Sequence, residues 1–104
     1  MSLTNTRKKY LRTLGHKLNP VVTVASKGLT DAVLNEIDRA LTDHELIKVR
    51  LTVGDRELKK SVIEEICTRL DAQPVQVIGH ILLILRPAKK PDPKLSNLLR
   101  QPED

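Results

Sequence analysis

A four-residue segment, Ala25-Ser26-Lys27-Gly28, has the composition of an anion-binding loop. It follows the β-branched run Val21–Val24 and precedes a stretch with helical spacing, so we expect it between a strand and a helix. The first turn of a helix has unpaired backbone N–H groups and carries the positive end of the helix dipole, both of which attract anions. Lys27 adds a full charge, and Gly28 permits a close backbone approach to a phosphate or a positive φ. RNA-binding KH domains hold a nucleotide backbone with a short Gly-bounded loop of this kind. The alternative is an ordinary connection in which Gly28 serves only the turn.

Basic residues are concentrated in the first third of the chain. Residues 1–30 contain six Lys or Arg and no Asp or Glu, whereas residues 31–71 contain ten acidic and seven basic residues; the net charge is +5. Lys48 and Arg50 alternate with apolar residues and so share the outward face of a predicted strand. Clustered positive charge attracts polyanions through counterion release, which makes nucleic acid the first candidate partner. A solvated basic face is the alternative, and the acid-free stretch of thirty residues favours binding.

Other residues with chemical potential lack the spacing of a catalytic or metal site. His16, His44 and His80 are far apart, and Cys67 adjoins an apolar stripe where it is expected to pack. No phosphate-binding glycine motif or Ser-His-Asp order is present in the sequence. We therefore predict no enzyme activity, no catalytic residue, no metal, no cofactor and no small-molecule substrate. No apolar run approaches the roughly 20 residues of a membrane-spanning helix, and one cysteine suits a reducing compartment, so we expect a cytoplasmic protein without a membrane partner.

Hydrophobic periodicity defines the elements that must position these residues. An amphipathic helix is predicted from about Thr4 to Gly15, with Gly15 as its stop and Tyr10 on its apolar side. Two further helices are predicted, one capped by Thr30 and one spanning Leu58 to Leu70. Strands are predicted at Val21–Val24, Leu46–Val53, Val75–Ile78 and Ile81–Leu85, the last two joined by a tight Gly79-His80 turn.

These elements predict a single α/β (α+β) domain with the order α-β-α-β-α-β-β. Two strand–helix–strand crossovers give a parallel component, and the closing hairpin adds an antiparallel one, so we expect a four-stranded mixed sheet with helices packed on it. The domain is expected to span residues 1–87. Residues 88–104 are rich in proline and charge, and we expect them to be largely disordered.

The chain has almost no aromatic side chains with which to stack bases. Tyr10 is the only one. Stacking on aromatic platforms, as in RRM sheets, is therefore nearly unavailable. We predict recognition of phosphates and of RNA shape, with weak sequence preference.

Two segments carry a resemblance to a known family. The stretch Lys17–Leu51, with His44-Glu45-Leu46-Ile47-Lys48-Val49 inside it, resembles the YhbY (CRM-domain) family, as does Val75–Gly79 followed by the strand ending Leu85-Arg86-Pro87. The resemblance covers roughly residues 3–87. It implies a fold shared with the C-terminal domain of translation initiation factor three, and association with precursors of the large ribosomal subunit. The family's GxxG loop usually has glycine at both ends and often a basic second residue, whereas here Ala25 and Ser26 occupy those positions and Lys27 carries the charge.

The sequence thus predicts a non-catalytic RNA-binding protein that associates with ribosomal RNA during assembly of the large subunit. Ribosomal proteins are expected as additional partners. The alternative is a protein-interaction module that binds ribosomal proteins or translation factors through its sheet or its leucine-bearing tail. The predicted RNA-binding residues are Lys8, Arg12, Lys17, Ala25, Ser26, Lys27, Gly28, Lys48, Arg50 and Arg86.

Overall fold

The computed structural model describes residues 3–25 and 27–99, and there the chain forms three helices and four strands in the predicted order. The predicted fold class and order are confirmed. The elements are α1 (Asn5–His16), β1 (Pro20–Val24), α2 (Asp31–His44), β2 (Leu46–Leu51), α3 (Arg56–Leu70), β3 (Gln73–Ile78) and β4 (Ile81–Leu85).

Each helix is preceded by a residue whose side chain caps its N-terminus. The side-chain oxygens of Thr4, Thr30 and Asp55 each accept a hydrogen bond from a backbone N–H two or three residues further on. The predicted cap at Thr30 is therefore confirmed. Beyond the C-termini of α2 and α3, Glu45 and Asp71 have positive φ angles of 63° and 54°, and these turn the chain into β2 and toward β3.

The four strands form one mixed sheet in the order β1-β2-β4-β3. β1 and β2 are parallel neighbours, while β4 lies antiparallel between β2 and β3. The crossover through α2 therefore joins the adjacent strands β1 and β2. The crossover through α3 joins β2 to β3, and β4 lies between these two strands in the sheet. Gly79, with a φ of 56°, begins the tight turn between β3 and β4, so the predicted hairpin is confirmed.

The helices cover the two faces of the sheet unequally. α2 and α3 pack on one face, where Ile37, Leu41, Val62 and Ile66 meet the inward residues of β1, β2 and β4. α1 alone packs on the other face, where Leu11 is fully buried. The sheet residues in this second cluster are Leu46, Val75, Leu83 and Leu85.

Gly15 lies inside α1 and does not stop it, so that prediction is wrong. The helix continues through His16, and Gly15 is buried against Leu83. A Cβ atom at position 15 would lie 2.6 Å from Leu83 Cδ2 and 2.9 Å from Cδ1. The absence of a side chain therefore lets α1 sit directly on the sheet.

The segment after β4 differs from the disordered tail that its composition predicts. Residues 88–99 lie within the described part of the chain and run back along the body, whereas residues 100–104 lie outside it. Glu45, which is 3% exposed, holds this segment through its two carboxyl oxygens. Its Oε1 accepts a hydrogen bond from the Ala88 N–H at 2.7 Å, and its Oε2 accepts one from Ser96 Oγ at 2.6 Å.

A second set of contacts holds the same segment near the start of β2. Asn97 Nδ2 donates to the Leu46 carbonyl at 2.6 Å, and the Asn97 N–H donates to the His44 carbonyl at 2.9 Å. The Leu95 carbonyl accepts a hydrogen bond from His44 Nδ1 at 2.8 Å, and Leu98 packs on the α1 cluster. These partners are some fifty residues apart in sequence, so local composition does not predict them.

Substitution Ser96→Ala is expected to lower the free energy of unfolding by roughly 1–3 kcal/mol, because it leaves a buried carboxyl oxygen without its donor. Urea denaturation followed by circular dichroism measures this. Ser61→Ala, at an exposed position of α3, is the matched control and should change stability by less than about 0.5 kcal/mol. Equal stability of the two variants would show that the contact with Glu45 contributes nothing.

Candidate nucleic-acid interface

The half of the sheet face that α1 leaves uncovered presents its residues in two rows. Strand register aligns Lys48, Leu83 and Gln76 in one row, and Thr23, Arg50, Ile81 and Ile78 in the next, because cross-strand partners point to the same side. Leu46 and Leu85 form the preceding row and lie beneath α1. We call Thr23, Lys48, Arg50, Gln76, Ile78 and Ile81 the open sheet face.

One edge of α1 borders this face. Lys8, Arg12 and His16 recur every four residues and so lie along one side of the helix. Arg12 and His16 line a hollow of about 160 Å³ between the helix and the sheet. The remaining lining residues are Lys48, Gln76, Ile78, Ile81 and Leu83. Packing of α1 therefore brings a cation of the helix and a cation of β2 to the same hollow.

The loop between β1 and α2 leaves the sheet at the end where the open face lies. Val24 pairs with Leu51, one residue beyond Arg50, and the Val24 carbonyl accepts hydrogen bonds from Thr52 N and Oγ1. The Gly28 N–H donates to the Ala25 carbonyl at 2.9 Å, which closes a tight turn, and Gly28 has a φ of 84°. Lys27 is exposed. Ser26 lies outside the described residues.

The start of α2 has backbone donors beside this turn. Thr30 Oγ1 accepts from the Val33 N–H, and the Leu34 N–H donates to the Thr30 carbonyl. The N–H groups of Asp31 and Ala32 therefore have no intrahelical acceptor. The donors expected near the loop are present, but the Gly28 N–H itself is already used.

The cations around the open sheet face are not neutralised by neighbouring acids. In residues 3–25 and 27–99, ion pairs join Arg69 to Glu65 and Arg86 to Asp38, and neither includes a cation of this region. No Asp or Glu of the described ranges lines the hollow. Lys48 and Arg12 therefore present full positive charge beside an apolar floor, and a clustered field of this kind concentrates anions.

The sequence matches a known family over most of its length. The family model of the CRS1 / YhbY (CRM) domain matches residues 3–86. The chain belongs to the CRS1 / YhbY (CRM) family.

Relatives of this CRM domain come from several bacteria. The chain is 44% identical over 100 residues to a "probable RNA-binding protein" of Pseudomonas aeruginosa, and the match covers 96% of each chain. It is 46% identical over 89 residues to an "RNA-binding protein" of Haemophilus influenzae, covering 86% of this chain and 90% of that one. The solution structure of a Staphylococcus aureus protein, 32% identical, superposes with a TM-score of 0.75 over 86% of this chain and 93% of that one.

Two of the predicted site residues lie away from the open face of the CRM domain. Lys17 lies just beyond the C-terminus of α1 and lines a different hollow with His44 and Asn97. Arg86 lies on the opposite side of the sheet, where its guanidinium donates to Asp38 Oδ1 at 2.7 Å. Its other acceptors are the Asp38 carbonyl, the Leu70 carbonyl and Thr42 Oγ1. Arg86 thus joins the second half of α2 to the C-terminus of α3. It does not share the face of Lys48 and Arg50, which its predicted role in the basic surface requires.

The sequence reading of the CRM domain also missed residues of the hollow. Gln76, Ile78 and Ile81 were expected only as strand residues, and His16 only as an isolated histidine. Gln76 is the one local signal for them. It is a polar residue within an apolar run, and the alternation of a strand places its side chain on the other face of the sheet from Val77. Tyr10, predicted on the apolar side of α1, is 49% exposed, with the Arg7 guanidinium 5.4 Å from its ring centroid.

Three further features of the described residues concern metal binding, thiol chemistry and membrane insertion. No cluster of three or more metal-ligating side chains occurs within the described residues. Burial raises the pKa of the Cys67 thiol from 9.0 to about 11, so the neutral thiol dominates at pH 7 and Cys67 acts as a packing residue. None of the helices described has the length and apolarity to cross a membrane.

Substitution Gly15→Ala is expected to lower the free energy of unfolding by roughly 1–3 kcal/mol through overpacking, although alanine favours helix. The reason is that the added methyl would overlap Leu83, which is itself buried and lines the hollow. Chemical denaturation measures the change. Gly54→Ala is the control, because a Cβ atom there meets nothing within 4 Å. A Gly15→Ala variant as stable as the control would show that α1 does not sit tightly on the sheet.

Proposed function

We propose that this protein binds structured RNA through the open sheet face, the adjoining edge of α1 and the loop 25–28. The observation that carries the proposal is the hollow where Arg12 and Lys48 converge. Among the residues that the structure describes, no acid lines it and neither cation has an ion-pair partner. Arg50 extends the positive surface along β2. Phosphate oxygens are natural ligands for such cations, and release of condensed counterions favours their association.

Family membership supports RNA as the polyanion. Two relatives that match most of this chain are named as RNA-binding proteins. The resemblance to YhbY proteins implies the more specific target, which is ribosomal RNA in precursors of the large subunit. We propose that the protein acts there by binding alone, in the cytoplasm, and that ribosomal proteins are neighbouring partners. We propose that residues 1–87 form the RNA-binding domain, with residues 88–99 packed against it.

We propose that recognition depends mainly on phosphates and RNA shape. Tyr10, the chain's one aromatic residue, does not line the hollow and contacts Arg7 instead. The loop contributes the charge of Lys27 and the backbone donors of Asp31 and Ala32, because the Gly28 N–H is engaged with Ala25. Ala25 is not among the residues with positive φ, so its methyl group requires no strained backbone. The loop therefore keeps its turn without a first glycine.

Charge reversal at Arg12 and Lys27 together is expected to remove the protein from large-subunit precursors. In lysate gradients, tagged wild-type protein should sediment with these precursors and crosslink to their ribosomal RNA. In a purified system, the Arg12→Glu, Lys27→Glu variant should bind structured RNA at least roughly tenfold more weakly at about 0.15 M salt, with a shallower salt dependence.

The matched control is Arg39→Glu with Lys60→Glu. Both residues are exposed on helices of the opposite face, and the change in net charge is the same. This control should sediment and bind as the wild type does. Equal losses in both variants would mean that net charge matters and not this surface. Wild-type protein at the top of the gradient, free of RNA and insensitive to nuclease, would instead favour a protein-interaction module.

A further inference from the structure

We propose that the hollow between α1 and the open sheet face receives one unpaired base of the bound RNA. The inference rests on the proposed RNA-binding function and extends it, because it names the structural element of RNA that is preferred. At about 160 Å³ the hollow is smaller than the sites that hold drug-sized ligands. Its size suits one planar group.

The floor of the hollow is aliphatic, and its outer part is accessible. Leu83 lies buried at its base, whereas Ile78 is 63% exposed although it belongs to a strand of the sheet. Ile81 completes the floor and is partly exposed. Ile78 and Ile81 are direct cross-strand partners, so their side chains lie next to each other on this face. The face of a base would remove this apolar surface from water.

The rim of the hollow is polar and selects an anionic strand over an apolar peptide. Arg12 from α1 and Lys48 from β2 have no acidic partner in the described part of the chain, and they can hold the phosphates that flank a base. Gln76 also lines the hollow, and within the described residues no hydrogen bond engages its side chain. Its amide offers two donors and an acceptor, which are the groups that pair with a base edge.

A base within a helical stem cannot use this floor. Both of its faces are stacked on neighbouring pairs, and only its edges are accessible, whereas Ile78 and Ile81 offer a surface for a face. The occupant must therefore be a base already displaced from its stack, as at a bulge, a loop or a junction. An aliphatic floor distinguishes poorly between bases, so the preference is for the unpaired state and not for sequence.

Titration of two RNA hairpins tests the inference. They share one stem, and one of them carries a single bulged 2-aminopurine, whose fluorescence reports stacking. The wild type should bind the bulged hairpin about tenfold more tightly than the paired one, which corresponds to burial of about 55 Å² of apolar surface, with a change in 2-aminopurine emission. Ile78→Ser should abolish most of that preference, because it should weaken binding of the bulged hairpin far more than binding of the paired one. Val77→Ser is the matched control, since Val77 neighbours Ile78 but points to the other face and is also exposed.

The outcomes separate the two proposals. Equal affinity of wild type for both hairpins, with no effect of Ile78→Ser, overturns the base site and leaves RNA binding intact. Failure of wild type to bind either hairpin at moderate salt overturns RNA binding and the base site together. Loss of the preference in Val77→Ser as strongly as in Ile78→Ser also overturns the base site. A protein occupant, seen as a nuclease-resistant complex that Ile78→Ser disrupts while wild type shows no bulge preference, overturns it as well.

Discussion

The contact between α1 and one end of the sheet determines which surface the protein presents. Leu11 is buried among sheet residues, and Gly15 brings the helix backbone against Leu83. The N-terminal end of α1 lies near Gln73 and Leu85, and its C-terminal end leads into β1 at the other edge, so the helix crosses the strands. A helix is roughly 10–12 Å wide, whereas strands of five or six residues are about 17–20 Å long. One crossing helix therefore covers only about half of the face.

On one face of β2 the residues change from apolar to basic at the boundary between the half of the sheet face that α1 covers and the half that it leaves open. Leu46, Lys48 and Arg50 point to the same face, but Leu46 lies under α1 while Lys48 borders the hollow and Arg50 is exposed. The alternate residues Ile47, Val49 and Leu51 are buried without exception beneath α2 and α3. One strand thus contributes to two cores and to the basic surface, and a shift of register by one residue would exchange their positions.

Local signals in the sequence were sufficient for the fold and for the placement of two cations of the candidate site. The cap at Thr30, the alternation of β2 and the Gly79-His80 turn depend on neighbouring residues, and the structure confirms each of them. Lys48 and Arg12 could be recognised as exposed cations because their own elements are amphipathic. Their meeting at one hollow depends on how α1 crosses the sheet, which no local pattern contains.

Long-range contacts account for what the sequence did not predict. Arg86 resembles a free cation at the end of a strand, but Asp38, 48 residues away, pairs with it. Glu45 resembles a charged residue at a helix end, but its carboxyl group is buried and holds Ala88 and Ser96. The proline-rich composition after residue 87 hides this anchoring. Several of the contacts use backbone groups, as at Ala88 and Leu95, and the side chains that take part are those of Ser96 and Asn97.

The most direct test of the account is the set of amide shifts that change when ¹⁵N-labelled protein is titrated with a structured RNA. If the open sheet face is the binding surface, the largest changes will occur at Arg12, Lys48, Arg50, Gln76 and Ile78 and in the loop 25–28. Amides near Arg39 and Lys60, on the helices of the other face, will remain unchanged. Changes concentrated on α2 and α3, with the open sheet face unaffected, would contradict the assignment of this surface to RNA.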